Sequence, residues 1–153
     1  MGYARSWARP MNILVVEDGH EYIELCTRFG APVANWSRVG SGEAALAAVG
    51  VGGVDGVLLD VCFRRLAAEA WLSPISGQEH WVRSLGAEQG IVILQHIRER
   101  HPSLPVVLAL DPRLNAQRWL DISARYGPVS ALGLPLHPST VVASLRSMIR
   151  AGL

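Results

Sequence analysis

Glu17 and Asp18 directly follow the apolar run NILVV, and Asp60 directly follows VDGVLL. Runs of this length read as buried strands, so the three acids fall at the carboxyl edge of a sheet. That is the edge where open α/β folds bind ligands. Carboxylates gathered in one place repel one another and resist desolvation, and a hard cation commonly neutralises them. The spacing therefore predicts an acidic pocket supported by Mg²⁺, with Asp60 as its candidate nucleophile.

Strand-like and helix-like segments alternate five times, which implies an α/β fold with helices on both faces of a parallel sheet. The first strand is expected over 12–17. A helix over 20–29 carries Tyr22, Ile23, Leu25, Cys26 and Phe29 as its apolar stripe, with Gly30 beyond it. A more polar strand over 32–39 suits a sheet edge, and Ser41 caps a helix over 42–49. The third strand is expected over 54–59, and IVILQHIRERH then repeats apolar residues at helical spacing. Pro102 and Pro105 end that helix and open a strand over 106–110. Pro112 suits the start of the next helix, closed by Gly127-Pro128 after Tyr126. A fifth strand over 129–134 and an amphipathic helix over 138–149 complete the pattern, the helix facing inward through Val141, Val142, Leu145, Met148 and Ile149. Residues 1–11 read as a short leader, with Met11 an alternative start, and 12–151 as one domain with an insertion at about 61–89.

Composition narrows the partners. The 153 residues fit one domain, and 50% apolar with 18% charged residues describes a globular chain. A net charge of +1 with scattered arginines gives no basis for nucleic-acid binding. No run approaches a membrane span, so no membrane partner is expected. Cys26 and Cys62 are too few for a disulfide framework, and free thiols without a signal peptide point to the cytoplasm. The opening MGYARS matches a myristoylation pattern too short to outweigh that expectation.

With these elements in order, the chain resembles the receiver domain of two-component response regulators. MNILVVED resembles the opening strand and acidic pair, VDGVLLD the phosphoacceptor strand, and GIVILQHIRERHPSLPVVLAL the helix and strand that follow, over roughly 11–60 and 90–151. The resemblance implies a doubly wound, flavodoxin-like five-stranded parallel sheet of order 2-1-3-4-5, with the site at the switch point between strands one and three. It implies that Glu17, Asp18 and Asp60 hold Mg²⁺ together with the backbone carbonyl of Cys62. Asp60 would take a phosphoryl group from a histidine kinase, a phosphotransfer protein or a small phosphodonor. Such transfer depends on positioning and on neutralising the equatorial oxygens.

Three positions depart from that pattern. Leu110 stands at the family's Thr/Ser position after strand four, Leu134 at its switch aromatic, and His137 at its lysine before proline. Losing a charged partner and a hydroxyl forfeits roughly 1.5–3 and 0.5–1.5 kcal/mol respectively. The sum is worth about one and a half to three decades in equilibrium. Both leucines are expected to pack as core, which favours a locked conformation. His137 either stands in for the lysine, its charge favoured by carboxylates, or is a polar loop residue bonding nearby backbone.

The stretch from Val61 to Gln89 exceeds the family's short turn by roughly twenty residues, a length that calls for structure or function of its own. Helical turns are expected within 64–72 and 79–85, with a break at SPISG. Trp71 and Trp81 either cover the loop's own backbone or form a lid or docking surface. Arg64 or Arg65 can swing toward Asp60 in place of the lysine. Glu79 and His80 with His96 or His101 match no metal-ligand spacing and read as surface, as do Glu99 and Arg100.

The sequence-level expectation is thus a non-enzymatic signalling module acting through a downstream protein partner or a homodimer, with Arg118 and Trp119 as candidate contacts. A receiver-like module that is never phosphorylated is the alternative. An aspartyl phosphatase is disfavoured, because Cys62 occupies the place of a second acid two residues after Asp60. A nucleotide site is disfavoured because EDGH, not a glycine motif, follows the first strand.

Overall fold

The computed structural model describes residues 9–110, 113 and 115–152. Five parallel strands form one sheet in the order β2-β1-β3-β4-β5. They are β1 (Met11–Val16), β2 (Ala34–Val39), β3 (Gly56–Asp60), β4 (Val106–Ala109) and β5 (Val129–Leu132). The helices are α1 (Glu21–Gly30), α2 (Gly42–Val51), α3 (Gln89–Arg100), α4 (Ala116–Tyr126) and α5 (Pro138–Ala151).

Side chains alternate across a strand, so a sheet covered on both faces needs apolar residues at every position. Leu14, Val16, Val57, Leu59, Val106 and Leu108 face one core with α2, α3 and α4. Ile13, Val15, Leu58 and Val107 face the other, where Cys26 of α1 and Val141, Val142 and Leu145 of α5 pack. The weakly apolar ANWSRV pattern sits at the edge as β2. Ser41 Oγ accepts from the Ala44 amide at 3.1 Å and starts α2.

Several expectations shift at their ends. β5 stops at Leu132, so Leu134 lies on the loop beyond it and is 68% exposed rather than core. Phe29 flanks the buried stripe of α1 and is exposed, with the Arg28 guanidinium 5.5 Å from its ring centroid. α4 begins at Ala116, capped by Asn115, and Pro112 lies outside the described residues. Met11 opens β1 and is buried there.

The insertion folds onto the first core. Phe63 is buried, and Leu66, Leu72, Trp81 and Val82 pack around the same cluster. Two 3₁₀ turns, Ala68–Ala70 and Glu79–Trp81, fall inside the stretches expected to turn. Gly90 is needed where α3 crosses the end of β3, since a Cβ there would lie 2.1 Å from the Asp60 carbonyl oxygen.

Candidate functional site

Strand endings place the acids. β1 delivers Glu17 and Asp18, β3 ends on Asp60, and Asp60 pairs in register with Ala109 of β4. Asp60, Asp18 and Cys62 line one pocket of about 750 Å³. Arg64, Arg65 and Glu21 form its charged wall, and Tyr22, Leu25, Leu134 and Leu136 an apolar one.

Burial pushes the Asp60 carboxyl up to about 6, against the amides of Cys62 and Val61, and the negative charges of Asp18 and Glu17 add to the rise. Glu17 turns away from solvent. Its two oxygens accept from the amides of Tyr22 (3.0 Å) and Ile23 (2.7 Å), the first turn of α1. Burial raises its carboxyl above the usual range, and these two amides oppose the rise. Asp18 Oδ2 accepts from the amides of Arg65 and Leu66, the latter at 3.0 Å. The Arg65 guanidinium pairs with Glu21 at 2.8 Å and lowers that carboxyl. Arg64 Nε donates to the Cys62 sulfur at 3.3 Å.

Of the other expected site residues, Leu134 lines this pocket and Leu110 and His137 do not. Leu110 lines a second pocket of about 120 Å³ with Val61, Ile91 and Trp119, and packs against the first core. His137 is exposed and precedes α5, where its ring makes no capping bond. The residue before a proline that lines the Asp60 pocket is Leu134, ahead of Pro135; His137, to which the resemblance assigns the lysine position, does not line it. β5, VSAL, carries no aromatic. Glu21 and Tyr22 are pocket residues that strand-end reasoning misses, although their place in the first turn after the acidic pair points to them.

As arranged, these donors do not fit a Mg²⁺ ion. Both Glu17 oxygens and one Asp18 oxygen are taken by amides, and among the described residues no three His, Cys, Asp or Glu side chains converge in a way that could hold a metal.

The far side of the insertion is equally committed. Arg118 Nη2 reaches Glu88 at 2.6 Å and the Trp81 carbonyl at 3.0 Å, in a largely buried ion pair. Trp119 packs partly buried against the core. Neither candidate contact stands free on the surface. His96 faces the Ser73 carbonyl at 2.7 Å, not a metal group.

No known protein family's sequence profile matches the chain, and no curated protein matches it. Solved structures do. NtrX from Brucella abortus superposes with a TM-score of 0.65 at 18% identity, over 94% of this chain and 28% of that one. The signal receiver domain of an HD domain-containing protein from Pseudomonas fluorescens Pf-5 gives 0.62 at 15%, over 94% and 90%. The Francisella response regulator 1452 receiver domain gives 0.62 at 14%, over 95% and 100%. The chain thus spans under a third of NtrX and nearly all of the two isolated receivers. The fold is that of response regulator receivers. Among the described residues no helix is long and apolar enough to cross a membrane.

Proposed function

We propose that the chain is a receiver-type module of phosphorelay signalling that acts by contacting a protein partner, with Asp60 as its phosphoacceptor. The observation that carries this is Asp60 at the carboxyl end of the third strand of a 2-1-3-4-5 sheet, in an open pocket shared with Asp18 and two arginines. An Asp60 oxygen would attack the phosphorus of a phosphohistidine on a kinase or phosphotransfer protein. The new O–P bond replaces the P–N bond, and the imidazole leaves with its electron pair. Arg64 and Arg65 are the pocket's cations and supply positive charge toward the equatorial oxygens.

Leu134 in the pocket and Leu110 outside it favour a second reading, a module that is never phosphorylated and binds its partner constitutively. Acetyl phosphate separates the two. Intact-mass spectrometry should show one added phosphoryl group on the wild type and none on Asp60→Asn. It should also show none when Arg64 and Arg65 are both alanine. An unlabelled wild type selects the constitutive reading.

A further inference from the structure

The insertion is a strap that starts from two anchored residues, and Arg64 lies between them. Phe63 before it is buried in the first core, with its amide on the Gly86 carbonyl at 3.0 Å. Arg65 after it gives its amide to Asp18. With both neighbours held, the Arg64 backbone is set at the wall of the Asp60 pocket. The side chain is held in turn, since Nε donates to the Cys62 sulfur at 3.3 Å. That sulfur and, behind it, the Asp60 charge raise the Arg64 guanidinium above its ordinary value. Arg65 is committed to Glu21 at 2.8 Å, whereas Arg64 forms no ion pair among the described residues.

We propose that Arg64 takes the place of a divalent cation, so that the pocket seats a phosphoryl group beside Asp60 without a metal. Transfer to a carboxylate brings two anions together and needs positive charge on the equatorial oxygens. A metal ion would have to draw ligands from Glu17 and Asp18, where three of four oxygens are already held by amides. A guanidinium needs no acidic ligands. It is always charged, and its planar donors match phosphoryl oxygens two at a time. Because both flanking residues and Nε are fixed, that charge is in position before the phosphoryl group arrives. With acetyl phosphate, an Asp60 oxygen forms the new O–P bond, the P–O bond to acetate breaks, and acetate leaves with the electron pair.

The inference rests on Asp60 as phosphoacceptor, yet the two fail separately. The full chain is treated with acetyl phosphate in excess EDTA and in Mg²⁺, as wild type and as Arg64→Ala. Arg64 is exposed, so its substitution leaves the core packing intact. Wild-type labelling, followed by intact mass, should run at the same rate in both media. Arg64→Ala should slow it by at least about a hundred-fold in EDTA, the usual loss for one preorganised donor to a developing charge. The seat is read apart from the chemistry with inorganic phosphate in EDTA on Asp60→Asn, which cannot be labelled. Phosphate should shift the nuclear magnetic resonance signal of the Arg64 Nε–H. A shift without any wild-type labelling keeps the seat and sinks the phosphoacceptor. Labelling only with Mg²⁺ keeps the phosphoacceptor and overturns the metal-free seat. An Arg64→Ala protein that labels like wild type, or an Arg64 signal unmoved by phosphate, overturns it too.

Discussion

Asp60 carries its charge at a cost. Its carboxyl titrates near 6 in the fold against about 3.8 when free, chiefly through burial. A raised carboxyl binds its proton more tightly in the folded state, so stability falls as pH rises between about 3.8 and 6 and stays reduced above. Asp60→Asn removes that dependence. At pH 4 the variant and wild type should melt together, and at pH 7 the variant should be more stable by on the order of 1–2 kcal/mol, visible in thermal melts at both values. A wild type equal to or better than the variant at pH 7 means that a cation or a reoriented arginine already compensates the charge. Glu17 differs in kind. With both oxygens on the first turn of α1, Glu17→Ala strands two amides and should cost about 1–3 kcal/mol in urea denaturation.

At the level of elements, the strands and helices were legible because each is covered along its length. GVLL and PVVLAL have no polar residue inside, as a strand buried on both faces requires. What escaped was the insertion's attachment. Gln89 and Gln95 are polar residues of α3, yet both are buried. The signal was present in α3, where Ile91, Val92, Ile93, Leu94 and Ile97 surround the axis and are all buried. A helix apolar all round must be covered all round, so a glutamine within it needs partners from elsewhere. Leu134 escaped for another reason: strand periodicity does not reveal that β5 ends two residues earlier. Gln95 bonds the Ile75 amide (3.2 Å), the Gln78 carbonyl (3.0 Å) and the Tyr126 hydroxyl (2.9 Å). Gln95→Leu strands the Ile75 amide and takes one of two bonds from the Gln78 carbonyl and the Tyr126 hydroxyl, and should cost about 1–3 kcal/mol, with protease cutting between Ser73 and Gly77 well below the melting midpoint. Wild-type resistance in the variant would show the strap to be held by its apolar contacts alone.

Across the whole molecule, the insertion belongs to the same cooperative unit as the sheet. Phe63 lies in the cluster that contains Leu59, Ile91 and Leu108, and Trp81 meets Tyr126 edge-on at a centroid distance of 6.2 Å. Tyr126 itself links α4 to Gln78 at 2.9 Å. A segment that fills the main core cannot melt early without exposing it, so unfolding should be two-state. Trp71 and Trp81 report the strap and far-UV circular dichroism reports the helices, and their urea transitions should coincide in midpoint and slope. Replacing 67–84 by a short turn removes Leu72, Trp81 and Val82 from that core and uncovers the buried polar groups of Gln89 and Gln95. The shortened protein should bind a hydrophobic dye and lose solubility, whereas an ordinary surface loop would come away with a loss of under about 1 kcal/mol. A soluble, dye-silent deletion with wild-type stability would make the insertion an accessory to the fold.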